Sequence, residues 1–104
     1  MWLTREGDVL ASLESDRRLL DGTFTGALIL RPPALVHTFR PAMALDVAWC
    51  ARGPEEVLEV RRTAALKPWR ISRPCVRAAA VVAPSGSFER WHLGVGDRLE
   101  AKGG

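Results

Sequence analysis

Proline punctuates this chain so closely that no long regular element fits through its middle. Pro32-Pro33, Pro41, Pro54, Pro68, Pro74 and Pro84 recur between short apolar runs. Proline has no backbone N–H and pushes the residue before it toward extended geometry, so each of these sites ends a strand or opens a turn. What lies between them alternates with a period of two or is briefly and continuously apolar, the signature of short strands.

"DVLASLE" is one such run, with Val9, Leu10 and Leu13 apolar, and "GALIL" is another that stops at Pro32-Pro33. "ALVHTFR" alternates Leu35, His37 and Phe39 against Ala34, Val36 and Thr38, then halts at Pro41. "ALDVAWCA" and "VLEVRRTA" flank a Gly53-Pro54 turn in the manner of neighbouring strands. "LKPWRISRP" reads as an extended loop crossing the body of the domain, "CVRAAAVVAP" as a central strand, and "VGDRLEAK" as a last strand with Leu99 inward and Arg98 and Glu100 outward.

One segment breaks the pattern. In "SGSFERWHLG", Phe88, Trp91 and Leu93 have near-helical spacing, Ser85 or Ser87 can cap the start and Gly94 suits the stop, which predicts one short helix near residues 85–93. The sum is a mainly β domain, α+β by count. So many short strands favour a small closed or strongly bent, barrel-like sheet, because closure protects the edges.

The 104 residues suffice for one domain with one core, 1–104, with 102–104 a frayed tail. A hydrophobic content of 47% with 26% charged residues argues for a folded globular chain. No window is apolar enough for a spanning helix, and "MWLTREGDVL" has no secretory pattern, so the expectation is a cytoplasmic protein without membrane association. Cys50 and Cys75 then read as free thiols. All but Lys67 and Lys102 of the 15 basic residues are arginine, and the net charge is a modest +3. Nucleic acid is not a favoured partner on that basis, since nucleic-acid binders concentrate positive charge on one face.

Taken in order, "DRRLLDG", "GALILRPP", "VHTFR" with "LDVAW" after it, "LKPWR" and "AVVAPSGSFERWHLGVGDRLE" resemble the bacterial and archaeal family known as domain of unknown function 192, over about residues 9–100. Phe39 matches the family's phenylalanine, Leu45-Asp46 its aliphatic-aspartate pair, and His37-Thr38 a variant opening of the motif. The chain is a divergent member by this reading. Pro41-Ala42 stand where relatives carry methionine and a basic residue, Ala44 stands where they carry proline, and Arg18 runs into Leu19-Leu20 without the family's glycine. The resemblance implies a compact, mostly β fold of the intracellular type with a short helix before the terminal "GD" strand, and it supplies no activity.

Six residues stand out as a tentative ligand-binding set: His37, Phe39, Arg40, Asp46, Trp69 and Arg70. Trp69 and Arg70 join a flat apolar surface to a planar cation, a pairing that grips carboxylate, phosphate or nucleobase, although Trp69 capping the core with Arg70 in a salt bridge is the plainer alternative. Asp46 suits a carboxylate accepting backbone N–H groups at a turn or pairing with Arg40 or Arg70. Asp97 after Gly96 reads as a turn carboxylate.

No catalytic residues are assigned, because no serine or cysteine sits in a nucleophile motif. No metal or other cofactor is implied, because His37, Cys50, Cys75 and His92 lack the close pairs of metal sites. The leading expectation is a non-enzymatic binding or accessory module for a protein partner or a small anionic ligand. The alternatives are an enzyme built on His37 and Asp46 in a small pocket, and a weak nucleic-acid binder using Arg17, Arg18, Arg61, Arg62, Arg73 and Arg77.

Overall fold

The computed structural model describes residues 1–14, 25–32, 36, 38, 43–71 and 77–103. Seven strands and one short helix are formed among them: β1 Trp2–Arg5, β2 Asp8–Ser12, β3 Leu28–Leu30, β4 Leu45–Arg52, β5 Leu58–Leu66, β6 Ala79–Pro84, α1 Ser87–Trp91 and β7 Arg98–Lys102. The strands make one sheet in the order β2-β1-β7-β5-β4-β6-β3, antiparallel at every join. No helix among the described residues is long and apolar enough to cross a membrane.

Each hairpin follows from local chemistry. β1 and β2 turn through Glu6 and Gly7, at φ 50° and 91°, in register Arg5 opposite Asp8. Left-handed geometry at both central residues matches the right-handed twist of the flanking strands, and glycine takes it without a Cβ penalty. This hairpin was not anticipated, although "REGD" has the polar-glycine form of a two-residue turn. β4 and β5 form the longest pairing, from Leu45 opposite Leu66 to Arg52 opposite Leu58, with a bulge where Trp49 and Cys50 face Arg62 and Val60. Their connection places Glu55 and Glu56 at φ 59° and 65° behind Pro54.

Strands β4 and β6 are buried on both faces, and so lack the alternation of a half-exposed strand. Ala48, Cys50, Ala79, Val81 and Ala83 pack with Leu3, Val60, Leu99 and Phe88 on the face that carries α1. Leu45, Val47, Trp49, Ala80 and Val82 pack with Leu28 and Val36 on the opposite face. Val81 and Val82, adjacent in sequence, are each wholly inaccessible, and burying such a side chain stabilises by about 1.5–3 kcal/mol.

In its pairing order the sheet is open, with β2 and β3 as edges. A parallel bridge between Leu13 and Ala27 nevertheless links the end of β2 to the start of β3. There Ala27 N–H donates to the Ser12 carbonyl at 2.9 Å and Glu14 N–H to the Ala27 carbonyl at 2.8 Å. The Glu14 carboxylate accepts from the backbone N–H groups of Thr25 and Gly26.

Some expectations shift. The helix is shorter than 85–93, because left-handed Gly86 precedes it and His92, at φ 52°, ends it. Neither Ser85 nor Ser87 caps it. Lys102, expected in a frayed tail, pairs with Trp2 as the last residue of β7. Leu99 is fully buried between exposed Arg98 and half-buried Glu100, as its alternation predicts. Of the strand expected over 34–40 only Val36 and Thr38 lie within the described residues, and neither is in a strand.

Candidate functional site

Thr38 joins two segments that are thirty residues apart in sequence. Its N–H donates to the Arg70 carbonyl at 2.8 Å, and its carbonyl accepts the Trp69 N–H at 3.1 Å. The hydroxyl donates to the Lys67 carbonyl and accepts the Arg70 N–H, both at 2.7 Å. Thr38 is only 1% exposed, so these bonds form away from competing water.

Their effect is to fix the turn Lys67–Ile71. Trp69 sits there at φ 63°, a left-handed conformation that costs a bulky residue of order 1 kcal/mol and persists where surrounding bonds impose it. All five residues of the turn are exposed, with Trp69 at 63% and Ile71 at 56%. An indole, an isoleucine and two cations are thus displayed on a backbone held from beneath. Of the six predicted residues, Trp69 and Arg70 are placed side by side in this way. His37, Phe39 and Arg40, close to Thr38 in sequence, lie outside the described residues.

Asp46 occupies a different place. It lies on the helix-bearing face of β4, in register with Ala48 and Cys50, where one carboxylate oxygen accepts the N–H groups of Gly86 at 3.0 Å and Phe88 at 3.1 Å. A side chain from the middle of the sheet therefore does the capping that the local serines were expected to do. Val36 packs on the opposite face, with Leu45 and Val47. Asp46, 8% exposed, also borders an open cleft of about 490 Å³ with Thr63, Ala65, Gly86 and Glu89.

The remaining candidates among the described residues are scattered, while Cys75, Arg17, Arg18 and Arg73 lie outside those residues. Cys50 is a free thiol on the helix-bearing face, wholly buried, and burial pushes its pKa up to about 12, which keeps it protonated and unreactive. His92 is exposed at the end of α1. No group of three His, Cys, Asp or Glu side chains that could hold a metal occurs among the described residues. Arg62 stacks its guanidinium 4.4 Å above the Trp49 ring, whereas Arg61 faces Glu59 at 3.7 Å. Asp97 does act as a turn carboxylate, accepting Gly94 N–H at 3.0 Å and pairing with Arg5 at 3.1 Å.

A cavity of about 80 Å³ that sequence reasoning missed is floored by Ile29, Leu58, Ala79 and Ala101 and rimmed by Arg31, Arg52 and Glu56. The Arg52 guanidinium, bonded to Glu56 at 2.7 Å, holds that carboxyl below the usual carboxylate range, with Arg31 adding to the effect at 3.6 Å. Its floor comes from four strands, so no contiguous motif marks it. Compared with protein-family profiles, curated proteins and solved structures, the chain matches none of them at a significant level.

Proposed function

We propose that this chain is a small non-enzymatic binding module whose contact surface is the Lys67–Ile71 turn, which receives a carboxylate or phosphate group on Trp69 and Arg70. The single observation that carries the reading is Thr38, whose buried hydroxyl and backbone hold the turn in a strained, exposed conformation. A turn fixed in advance loses little conformational freedom on binding, which is where much of the cost of association lies. Tryptophan and arginine are also the residues that most often dominate contact energies. The anionic group can belong to a free small ligand or to an acidic segment of a protein partner.

Three further proposals accompany it. The ordered motifs, above all Leu45-Asp46 and the "LKPWR" turn, support placing the chain as a divergent member of the domain of unknown function 192 family. The Leu13–Ala27 bridge supports a strongly bent, barrel-like sheet whose edges approach at one corner. A cytoplasmic location is proposed on the same family reading, which groups the chain with the intracellular type.

Titration of isotope-labelled protein with inorganic phosphate and with citrate, followed by NMR, tests the function. The expected result is a saturable shift of the Trp69 indole N–H and Arg70 amide signals, lost in Arg70→Ala. Silence of both signals up to about 10 mM, where a site worth about 3 kcal/mol would be half filled, refutes it.

A further inference from the structure

Besides β2 and β3, one more strand edge is left unpaired among the described residues, where β5 outruns β7. The two strands pair only at Leu58 with Leu99 and Glu59 with Arg98. Val60 closes that contact, its N–H donating to the Asp97 carbonyl and its carbonyl accepting Gly96 N–H, both at 2.8 Å. Past it, Arg61–Leu66 has β4 on one side and, among the described residues, no strand on the other. Thr63 and Ala65 are exposed along this stretch, and beside it runs the 490 Å³ cleft walled by Phe88 and Glu89. Edge strands are ordinarily guarded by proline, a bulge or inward charge. Here the bulge falls at Arg61–Arg62, leaving Thr63–Leu66 in unbroken register with β4 and free of proline.

We infer that this edge takes up an extended acidic segment of a partner protein as an added antiparallel strand. The inference deepens the binding-module reading, on which it rests for the class of partner, because β5 runs directly into the Lys67–Ile71 turn. Charge selects the occupant. Arg61, Arg62, Lys67 and Arg70 line one continuous stretch of chain, and Arg62 is held in place by its stacking on Trp49. A second copy of the chain, paired antiparallel through the same edge, would set Arg61 and Arg62 beside the other copy's Lys67, and like charges so placed oppose association. An acidic strand meets complementary charge instead. Because side chains alternate across a strand, its acidic residues face Arg62 while its intervening small apolar residues face the cleft at Thr63 and Phe88.

The test uses the full chain and a short capped peptide alternating glutamate with valine, with the lysine–valine peptide as control. Amide hydrogen exchange is read by NMR at Thr63 and Ala65. The glutamate peptide slows exchange at both sites and the lysine peptide does not; Ala65→Pro, which removes an edge N–H, abolishes the protection. Arg61→Glu, at an exposed side chain that leaves the fold intact, weakens the peptide about tenfold. A glutamate peptide that moves Trp69 and Arg70 but leaves Thr63 and Ala65 unprotected overturns the edge inference and leaves the turn reading standing. Protection at Thr63 and Ala65 with phosphate and citrate silent at Trp69 fails the turn reading alone. A dimer in sedimentation equilibrium with both amides protected before any peptide is added assigns the edge to a second copy and overturns the inference.

Discussion

Replacing Asp46 by alanine removes the acceptor that starts α1, and the cost can be worked from the two bonds it makes. The Phe88 N–H lies in a buried contact at 3.1 Å, so its loss leaves a donor with neither protein nor water, worth about 1–3 kcal/mol. The Gly86 N–H, bonded at 3.0 Å and partly open to solvent, can turn to water and contributes about 1 kcal/mol. The total, about 2–4 kcal/mol, leaves a domain of ordinary stability folded and lowers its melting temperature by about 10–20 °C. Asp46→Asn keeps an acceptor oxygen at the same place and loses only the charge assistance, about 1 kcal/mol. Urea and thermal unfolding of the three proteins, with near-ultraviolet dichroism from the Phe88–Trp91 ring contact at 5.8 Å as a local probe, measure both steps. If Asp46→Ala costs less than about 0.5 kcal/mol, or Asp46→Asn costs as much as alanine, the carboxylate is not a structural cap and the reasoning fails.

Three other perturbations probe separate features. Burial raises the Cys50 pKa to about 12, so its contribution to stability is complete below the ordinary thiol range and is lost as pH climbs toward 12. Unfolding free energies between pH 8 and 12 are expected to fall more steeply in the native protein than in Cys50→Ala. A Cβ at Gly26 would overlap the Ser12 carbonyl and the Glu14 carboxylate, so Gly26→Ala is expected to cost about 1–3 kcal/mol and to speed hydrogen exchange at Glu14 and Ala27. The Trp49 indole N–H is buried without an acceptor among the described residues, so Trp49→Phe sheds an unsatisfied donor while losing ring area. Its net cost in urea unfolding is expected to stay below about 1 kcal/mol.

What the sequence determined by itself was local. Proline spacing set the lengths of the runs that became β3 to β6, the 88/91 spacing placed α1, and the alternation around Leu99 oriented β7, because each depends on backbone freedom or side-chain period within a few residues. The tertiary structure decided everything that needed two distant segments at once. Asp46 reads in the sequence as a carboxylate that accepts backbone N–H groups, but not as the cap of a helix forty residues later, since that role exists only once β4 and β6 are paired. Thr38 likewise carried no signal beyond strand propensity, and its hold on the Lys67–Ile71 turn arises from bonds across some thirty residues. The edge of β5 left unpaired among the described residues is still less legible, because whether a strand is central or exposed depends on how far its neighbour reaches, and β7 begins only after a turn whose position no residue of β5 encodes.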